Sequence, residues 1–174
     1  SESLLDTYGA ERSPHVHAFI ELAVRLGDII QTTDPEAARA RDAKFKAGQP
    51  EIFEFPSPRL GPGLTWGKAP AGQIFGQPVL DDGRLLDARL GNRFAVIGHA
   101  STLAAANDLT RETWGRWGIV EMPATDRALK DWLAASGAQA VLLRPDRYIM
   151  GVAKTPAELD ALTAALPAPQ LQVH

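Results

Sequence analysis

Residues 93 to 166 read RFAVIGHASTLAAANDLTRETWGRWGIVEMPATDRALKDWLAASGAQAVLLRPDRYIMGVAKTPAELDALTAAL, and this stretch decides the fold. Short apolar runs at Phe94–Ile97, Ile119–Met122, Val141–Leu143 and Tyr148–Met150 are typical of strands. The segments between and after them contain helix-forming residues with apolar side chains three and four positions apart, which is typical of helices. The sequence therefore predicts the order strand, helix, strand, helix, strand, strand, helix.

Capping residues mark where the predicted helices begin and end. Ser101 offers an N-cap for a helix that runs towards Trp114, and Thr125 or Asp126 offers one for the next helix. Gly137 suits the left-handed residue that ends this second helix. The last helix has the clearest start, because residues 155–158 (Thr-Pro-Ala-Glu) form a capping box with proline at the first helical position.

The last two strands are separated by Arg144-Pro145-Asp146-Arg147, whose central Pro-Asp fits a tight turn. These strands are therefore predicted to form a hairpin, whereas the first two strands, joined through a helix, are predicted to be parallel. The predicted fold class is α/β: a mixed four-stranded sheet with helices on both faces. This βαβαββα order is that of a thioredoxin-like fold.

The chain contains no cysteine. A redox enzyme with this fold needs a thiolate as its nucleophile, and no other side chain replaces it in disulfide exchange. The function is therefore expected to be structural, interactive, or dependent on a partner. A chain without cysteine also suits a reducing cytoplasm, where we expect this protein to be located.

Length and composition fit a domain with its own core and an attached arm. The chain has 174 residues, 45% of them hydrophobic, and a formal net charge of −3. No basic run is present, so a nucleic-acid partner is not expected. No apolar stretch is long enough to cross a bilayer, so a membrane partner is not expected either.

The N-terminal part is predicted to be an arm of two helices. The first covers His15 to Ile30, and Val16, Ile20 and Val24 widen its apolar surface beyond one stripe. A helix that is apolar over so much of its circumference requires two neighbours. We therefore expect its main apolar face to lie at an interface with another domain or with a second copy; its members are Phe19, Leu22, Leu26 and Ile30.

Three regions are predicted along the chain. Residues 1–48 form the helical arm, with a second helix starting at Thr33-Asp34-Pro35-Glu36. Residues 49–72 are rich in proline and glycine and read as a connector anchored by Trp66. Residues 73–174 form the thioredoxin-like domain, in which Asp81-Asp82-Gly83 and Gly91-Asn92 read as hairpin turns around Leu85-Leu86-Asp87.

Several segments together resemble a known family. Leu4-Leu5-Asp6-Thr7-Tyr8, followed by Glu11-Arg12 and Pro14-His15, resembles the LLDxYxxERxPH segment that closes the substrate domain of FAD-dependent aromatic hydroxylases. Arg144 to Tyr148, with Gly151 following, resembles the RPDRYxxG hairpin near the end of those proteins. Two further matches are Gly76-Gln77-Pro78 to PQP, and Leu86-Asp87 before Gly91-Asn92 to LDxxxGxxF. The match is collinear and most similar to the 3-(3-hydroxyphenyl)propionate and phenol hydroxylase branch.

The resemblance implies that this chain is part of a longer protein. In that family the last domain is thioredoxin-like without the redox dithiol, and residues 1–48 correspond to the tail of the upstream substrate domain. FAD is bound by a glycine-rich turn further upstream, and FAD and NAD(P)H are implied for the full-length protein. The resemblance therefore implies no catalytic residue and no cofactor site in this chain, and as partners the upstream FAD and substrate domains and a second copy in a homodimer.

The remaining candidate residues have simpler interpretations. His15 and His17 lie two apart, on different sides of a helix, so no metal site is predicted. His99 and Ser101 follow the first strand, where helix capping is favoured over a nucleophilic role because no acidic partner or Gly-x-Ser-x-Gly motif is present. The charged turn residues have two interpretations, a contact with another domain or subunit and a self-satisfied turn; they are Arg144, Asp146 and Arg147.

Two hypotheses for the function remain. The first is a non-catalytic C-terminal accessory domain of a flavin-dependent aromatic hydroxylase. The second is an independent, redox-inactive thioredoxin-like module that binds a protein or small ligand beside His99. The wide apolar surface of the His15–Ile30 helix favours the first, because an isolated module offers too little partner area.

Overall fold

The computed structural model describes residues 2–48 and 57–167. Part of the predicted connector, residues 49–56, and the end of the predicted domain, residues 168–174, lie outside the described residues. The helices are α1 Glu2–Ile30, α2 Pro35–Lys46, α3 Leu86–Leu90, α4 Ala100–Ala104, α5 Asp108–Trp117, α6 Arg127–Ser136 and α7 Pro156–Ala164. The strands are β1 Ala95–Gly98, β2 Val120–Pro123, β3 Ala140–Leu143 and β4 Ile149–Ala153.

The four strands form one mixed sheet in the order β2-β1-β3-β4. β1 is parallel to β2, with Ala95 opposite Val120, and antiparallel to β3, with Val96 opposite Leu142. β3 and β4 are antiparallel and joined by the predicted turn. The predicted α/β class, the mixed four-stranded sheet and the βαβαββα order of its elements are therefore confirmed.

The sheet is buried on both faces, as the continuous apolar strands require. On one face Ile97, Val141 and Leu143 pack with Leu129 and Leu133 of α6. On the other face lies a second cluster that includes residues of α4, α5 and α7; among its members are Val96, Leu142, Leu103, Trp114, Leu159 and Leu162. The indole of Trp114 is fully buried and donates to Thr163 Oγ1 at 3.1 Å, so α5 is fixed to α7.

The predicted caps form at two helices. Gly137 follows α6 with φ of 64°, the left-handed conformation that glycine adopts without strain. Thr155 Oγ1 accepts a hydrogen bond from the Glu158 amide at 3.1 Å at the start of α7. The Glu158 carboxylate accepts from the amide of Lys154 at 2.7 Å, one residue before the N-cap. In a standard capping box this carboxylate accepts from the amide of the N-cap residue itself, whereas here it accepts from the amide of the residue before it.

The helix after β1 differs from the prediction. It is divided into α4 and α5, because Asn107 caps α5 by accepting from the Thr110 amide at 2.8 Å. The N-cap position of α4 is His99, without a side-chain capping bond, and Ser101 lies inside the helix and is exposed. The predicted N-cap at Ser101 is therefore wrong, because the chain turns into the helix two residues earlier.

Of the two predicted hairpin turns, the first is confirmed and the second is wrong. Val79 pairs with Leu85 across the Asp81-Asp82-Gly83 turn, as predicted. Leu86–Leu90 then forms the short helix α3 instead of a strand, and Gly91 follows as its C-cap. Leu86 and Leu90 are both fully buried, so four-residue spacing of two leucines places them on one helical face towards the core.

The arm is helical as predicted, but its first helix begins at Glu2 and not at His15. α1 is continuous and contains Pro14, and α2 is capped by Asp34, whose carboxylate accepts from the Glu36 amide at 3.0 Å. No residue of α2 is buried. No helix in the described residues has the length and apolar composition to cross a membrane.

Candidate functional site

The two motif segments that carry the resemblance lie against each other. Residues 11–15 of α1 contact the turn between β3 and β4, together with residues 61–64 of the connector. We call this region the arm–hairpin junction. Three side-chain contacts define it: Glu11 with Arg144, Arg12 with Asp146, and His15 with Tyr148.

Glu11 and Arg144 form the buried centre of the junction. Arg144 Nη1 donates to Glu11 Oε1 at 2.9 Å, and the two side chains are 11% and 4% exposed respectively. Arg144 also donates to both carboxylate oxygens of Asp146, from Nε at 3.1 Å and from Nη2 at 3.0 Å. Burial by itself lowers the pKa of Arg144, but the Glu11 hydrogen bond and the nearby charges of Asp146 and Glu11 raise it overall, so the guanidinium stays charged.

The connector supplies further hydrogen bonds to Glu11. The amide of Leu64 donates to Glu11 Oε1, and the carbonyl of Leu64 accepts from Arg144 Nη1 at 3.3 Å. The amide of Gly61 donates to the backbone carbonyl of Glu11 at 2.8 Å. One acidic residue therefore holds three separate parts of the chain: arm, connector and hairpin.

Pro14 and the connector glycines explain why the backbones approach so closely. A proline inside a helix has no N–H, so the carbonyl of Ala10, four residues earlier, lacks its helical donor. A Cβ on Gly61 would overlap the oxygen of that carbonyl, and a Cβ on Gly63 would overlap the Glu11 side chain. Only glycine fits at these two positions while α1 stays in place.

Arg12 and Tyr148 form the outer part of the junction. Arg12 Nη2 donates to Asp146 Oδ2 at 2.8 Å, and the Arg12 guanidinium lies 5.1 Å from the centre of the Tyr148 ring. Asp146 is thus shared between Arg12 and Arg144. A shared carboxylate fixes both arginines at a smaller cost in side-chain entropy than two separate ion pairs would need.

His15 and His17 have different environments, as their spacing predicts. The Tyr148 hydroxyl lies 2.6 Å from His15 Nε2, while Nδ1 is buried with no hydrogen-bond partner among residues 2–48 and 57–167. Burial, and then the positive charge of Arg12, lower the pKa of His15. His17 is exposed, and its Nδ1 lies 3.2 Å from Glu21 Oε1.

Arg147 fixes the other side of the turn. It is the one non-glycine residue with positive φ, 65°, among the described residues. Its guanidinium pairs with Asp87 of α3 and donates to the carbonyl of Gly91, which ends that helix. The turn residues Arg144, Asp146 and Arg147 therefore bind both within the turn and to distant segments of the same chain. A contact of these residues with another domain or subunit remains a prediction.

Gly151 allows the connector to cover β4. The Trp66 amide donates to the carbonyl of Met150 at 2.6 Å. A Cβ on Gly151 would lie 2.6 Å from a Leu162 methyl and 3.1 Å from the Trp66 carbonyl. The amide of Gly72, the last residue of the connector, donates to the carbonyl of Ile149 at 2.8 Å, so the outer edge of the sheet is paired with the connector.

The apolar face predicted for the arm is partly covered. Leu22 is buried and Leu26 is half-buried, whereas Phe19 is 43% and Ile30 79% exposed. Exposed Val16, Ile20 and Val24 lie four residues apart on α1, and Ile20 and Val24 line a groove of about 460 Å³ with Glu21 and Arg25. The role of this face as an interface remains a prediction.

The residues near β1 do not form a catalytic arrangement. His99 and Ser101 are both exposed, and neither side chain forms a hydrogen bond with another described residue. The described ranges contain no group of three or more His, Asp or Glu side chains placed to hold a metal ion.

The glycine-containing segment of the connector does not fit a flavin pyrophosphate. Such a site needs free backbone amides at the start of a helix after a strand. The Gly61 amide donates to the Glu11 carbonyl, and residues 61–63 lie flat against α1. The groups of the junction can hold segments together and exchange a proton at His15, but they include no activated nucleophile.

Sequence reasoning missed most of the junction. It singled out the turn residues but not Glu11 or Arg12 as their partners, and it considered His15 only as a metal ligand. The available signal was that the two best-matched motifs carry charges of both signs, and that a proline at position 14 interrupts an otherwise regular helix.

Comparison with known proteins identifies what the chain is similar to. Residues 117–169 match the family described as the HcaD C-terminal domain. A probable NADH-specific resorcinol 4-hydroxylase from Rhodococcus jostii (strain RHA1) is 33% identical over 95% of the chain. A 3-(3-hydroxy-phenyl)propionate/3-hydroxycinnamic acid hydroxylase from Mycolicibacterium gilvum (strain PYR-GCK) is 30% identical over 95% of the chain. The chain resembles the C-terminal region of aromatic hydroxylases. The resemblance stated from the motifs is therefore confirmed.

These hydroxylases are much longer than the chain, which spans 34% and 37% of their respective lengths. Solved structures agree on the fold. RebC-10x, soaked with chromopyrrolic acid and with bound 7-carboxy-K252c, gives a TM-score of 0.64 at 18% identity and covers 94% of the chain and 36% of its own. The flavin-dependent monooxygenase PieE, in complex with FAD and substrate, gives 0.58 at 19% identity over 95% of the chain and 39% of its own.

Proposed function

We propose that this chain is the non-catalytic C-terminal accessory region of a FAD-dependent aromatic ring hydroxylase. In this proposal, residues 1–48 are the tail of the upstream substrate domain, residues 49–72 are the connector, and residues 73–174 are a thioredoxin-like domain without redox cysteines. The full-length protein uses FAD and NAD(P)H in the cytoplasm. The similarity of 95% of this chain to about a third of two hydroxylases supports this assignment.

The arm–hairpin junction is the observation that carries the accessory role. Arm and hairpin are joined by a buried ion pair between Glu11 and Arg144, with a second ion pair between Arg12 and Asp146. Burying a charge is costly unless it is paired, so this contact defines one relative position of the two segments. We infer that the junction holds the thioredoxin-like domain against the end of the substrate domain and keeps that domain's last helix in position.

The proposal includes packing on the upstream FAD and substrate domains and support of a homodimer. The exposed apolar residues of α1 support this part, because a contiguous apolar surface of this kind is typical of an interaction site. Light scattering on the full-length protein tests it. Ile20→Ser should shift the dimer towards monomer if α1 lies between protomers, and Leu109→Ser, at an exposed leucine of α5, is the matched control.

The decisive experiment starts from the DNA upstream of the codon for Ser1. An open reading frame that encodes a dinucleotide-binding fingerprint would supply the full-length protein. After purification, that protein should be yellow and should oxidise NADH in the presence of a phenol. The first substrates to test are resorcinol and 3-(3-hydroxyphenyl)propionate, because these compounds appear in the names of the two relatives. The chain alone should be colourless and lack disulfide reductase activity.

Two results would contradict the proposal. A stop codon directly upstream, with the chain expressed by itself in cells, would favour the independent binding module instead. Stoichiometric FAD that copurifies with the chain alone would contradict the assignment of flavin binding to upstream domains.

The variant Arg144→Met tests the junction in the full-length protein. It should lower the midpoint of thermal unfolding while the flavin content of the folded protein stays unchanged.

A further inference from the structure

One titratable side chain lies between the arm and the hairpin. His15 Nε2 is 2.6 Å from the hydroxyl of Tyr148, which is 7% exposed and lies directly before β4. The His15 ring also contacts the Tyr148 ring edge-on, with 5.7 Å between centroids, and the Phe19 ring with 5.2 Å. The imidazole is therefore packed between two aromatic rings as well as hydrogen-bonded.

The two nitrogens of His15 are not equally satisfied. Nε2 has its partner in Tyr148, whereas Nδ1 is buried and has no hydrogen-bond partner within the described part of the chain. A neutral imidazole carries one proton and needs one acceptor at most. A neutral ring that donates from Nε2 to the Tyr148 hydroxyl carries no proton on Nδ1. Protonation adds an N–H at Nδ1, and this donor would be buried without an acceptor.

The surrounding charges do not compensate a proton on His15. Four charged side chains of α1 and the hairpin turn face this region: Glu11, Arg12, Arg144 and Asp146. The two carboxylates are already bound to the two arginines, so the group is neutral as a whole. Arg147 is turned towards Asp87, and His17 pairs with Glu21 on an exposed part of the helix. A proton on His15 would therefore add an unpaired positive charge beside Arg12.

We propose that the His15–Tyr148 pair is a pH-sensitive contact, which helps to hold the arm helix on the hairpin while His15 is neutral and weakens this attachment when His15 is protonated. The inference depends on the contacts of this chain and is independent of the proposed enzyme. It implies that the arm opens from the β3–β4 turn more often in mildly acidic solution while the sheet and its two cores stay folded.

The direction of the titration agrees with this geometry. Burial and the charge of Arg12 lower the pKa of His15 in the folded chain. Between this lowered pKa and the ordinary histidine value of about 6.5, the unfolded or released arm binds more protons than the docked arm. The contribution of the contact is therefore fully present above about pH 6.5 and is lost as the pH falls through the lowered pKa.

Hydrogen exchange of the intact chain at several pH values from 7.5 to 5.0 tests the proposal. After correction for the intrinsic rate, protection of the α1 amides should fall with decreasing pH by up to about tenfold per pH unit, the limit for one proton. In His15→Gln, which retains a polar group for Tyr148 but does not titrate, this dependence should disappear. His17→Gln is the matched control and should behave like the unchanged chain.

Two outcomes would overturn the proposal. One is an unchanged pH dependence of α1 protection in His15→Gln. The other comes from an NMR titration of the His15 ring, which is informative even if the variant fails to fold. A pKa in the native chain equal to or above that of the same residue in the urea-unfolded chain would contradict the proposal.

Discussion

Glu11 and Arg144 are 133 positions apart in the sequence, yet their side chains form a 2.9 Å ion pair that is almost closed to solvent. Each belongs to a different motif, one in the arm and one in the hairpin turn. The Leu64 amide binds the same carboxylate, so the pair also fixes the connector. One buried carboxylate therefore joins the arm, the connector and the hairpin turn.

Removing Arg144 should be more damaging than removing Glu11. Arg144→Met leaves the Glu11 carboxylate buried without a cation and should lower the free energy of unfolding by about 3 kcal/mol. Glu11→Gln should cost less, because Asp146 still accompanies Arg144 and the amide oxygen still accepts from Leu64. Urea denaturation measures both values, and the double variant should be less destabilised than the sum of the two.

An exposed ion pair supplies the control for this experiment. Arg127 and Asp131 lie 3.7 Å apart on α6, with side chains 89% and 71% exposed. Arg127→Met should change the free energy of unfolding by no more than about 0.5 kcal/mol. Equal effects of Arg127→Met and Arg144→Met would show that the junction is not formed in solution.

The connector glycines should not tolerate a methyl group. Gly61→Ala places a Cβ against the backbone oxygen of Ala10, which cannot move without shifting α1, so we expect a loss of about 2 kcal/mol in urea denaturation. Gly115→Ala is the control, because its Cβ would meet nothing within 4 Å in the last turn of α5. That change should stabilise the chain by about 0.5–1 kcal/mol. Similar signs for the two variants would argue against close packing at Gly61.

The Thr155 hydroxyl, which caps α7, should contribute to the free energy of unfolding, whereas the Ser101 hydroxyl should not. Thr155→Ala removes the acceptor of the Glu158 amide and should lower the free energy of unfolding by about 1 kcal/mol. Ser101→Ala lies inside α4 on an exposed surface and should have an effect within about 0.5 kcal/mol. A larger loss in Ser101→Ala than in Thr155→Ala would restore Ser101 as the N-cap.

Asp82 should titrate below the ordinary range for an aspartate. The hydrogen bond from Arg89, followed by the Arg84 amide and the charges of both arginines, lowers its pKa. Its stabilising contribution is thus present above the ordinary pKa of an aspartate and lost as the pH falls through the lowered pKa. Arg89→Met should move the pKa of Asp82 upwards in an NMR titration, whereas Arg116→Met, which removes a pair with Glu112 on α5, should leave it unchanged.

The sequence predicted the sheet well because its signals are local. Four short apolar runs and the Pro-Asp turn are contiguous in the chain, and strand pairing follows from a few connection rules. The prediction failed where local signals compete. Asn107 divides a run of helix formers, and Leu86 with Leu90 supports a short helix inside a region that reads as turns.

The junction was less predictable for a physical reason. A charged residue on a helix is usually solvated, so nothing in the neighbourhood of Glu11 distinguishes a buried carboxylate from an exposed one. The distinguishing information lies in residues 61–64 and 144–148, which contact Glu11 only after folding. Opposite charges in two motifs were visible, but their pairing was not.

Because Glu11 joins the arm to the connector and to the hairpin turn, its contacts also bear on where a domain boundary can be placed. A boundary placed at residue 72, where composition changes, would separate Arg144 from the buried carboxylate of Glu11 and from the Leu64 carbonyl, and would leave Asp146 as its carboxylate partner. The contacts that complete the β3–β4 turn are therefore discontinuous in the sequence: they come from the connector and from one turn of a helix located more than a hundred residues earlier. Domain exchange between relatives would have to transfer both pieces together.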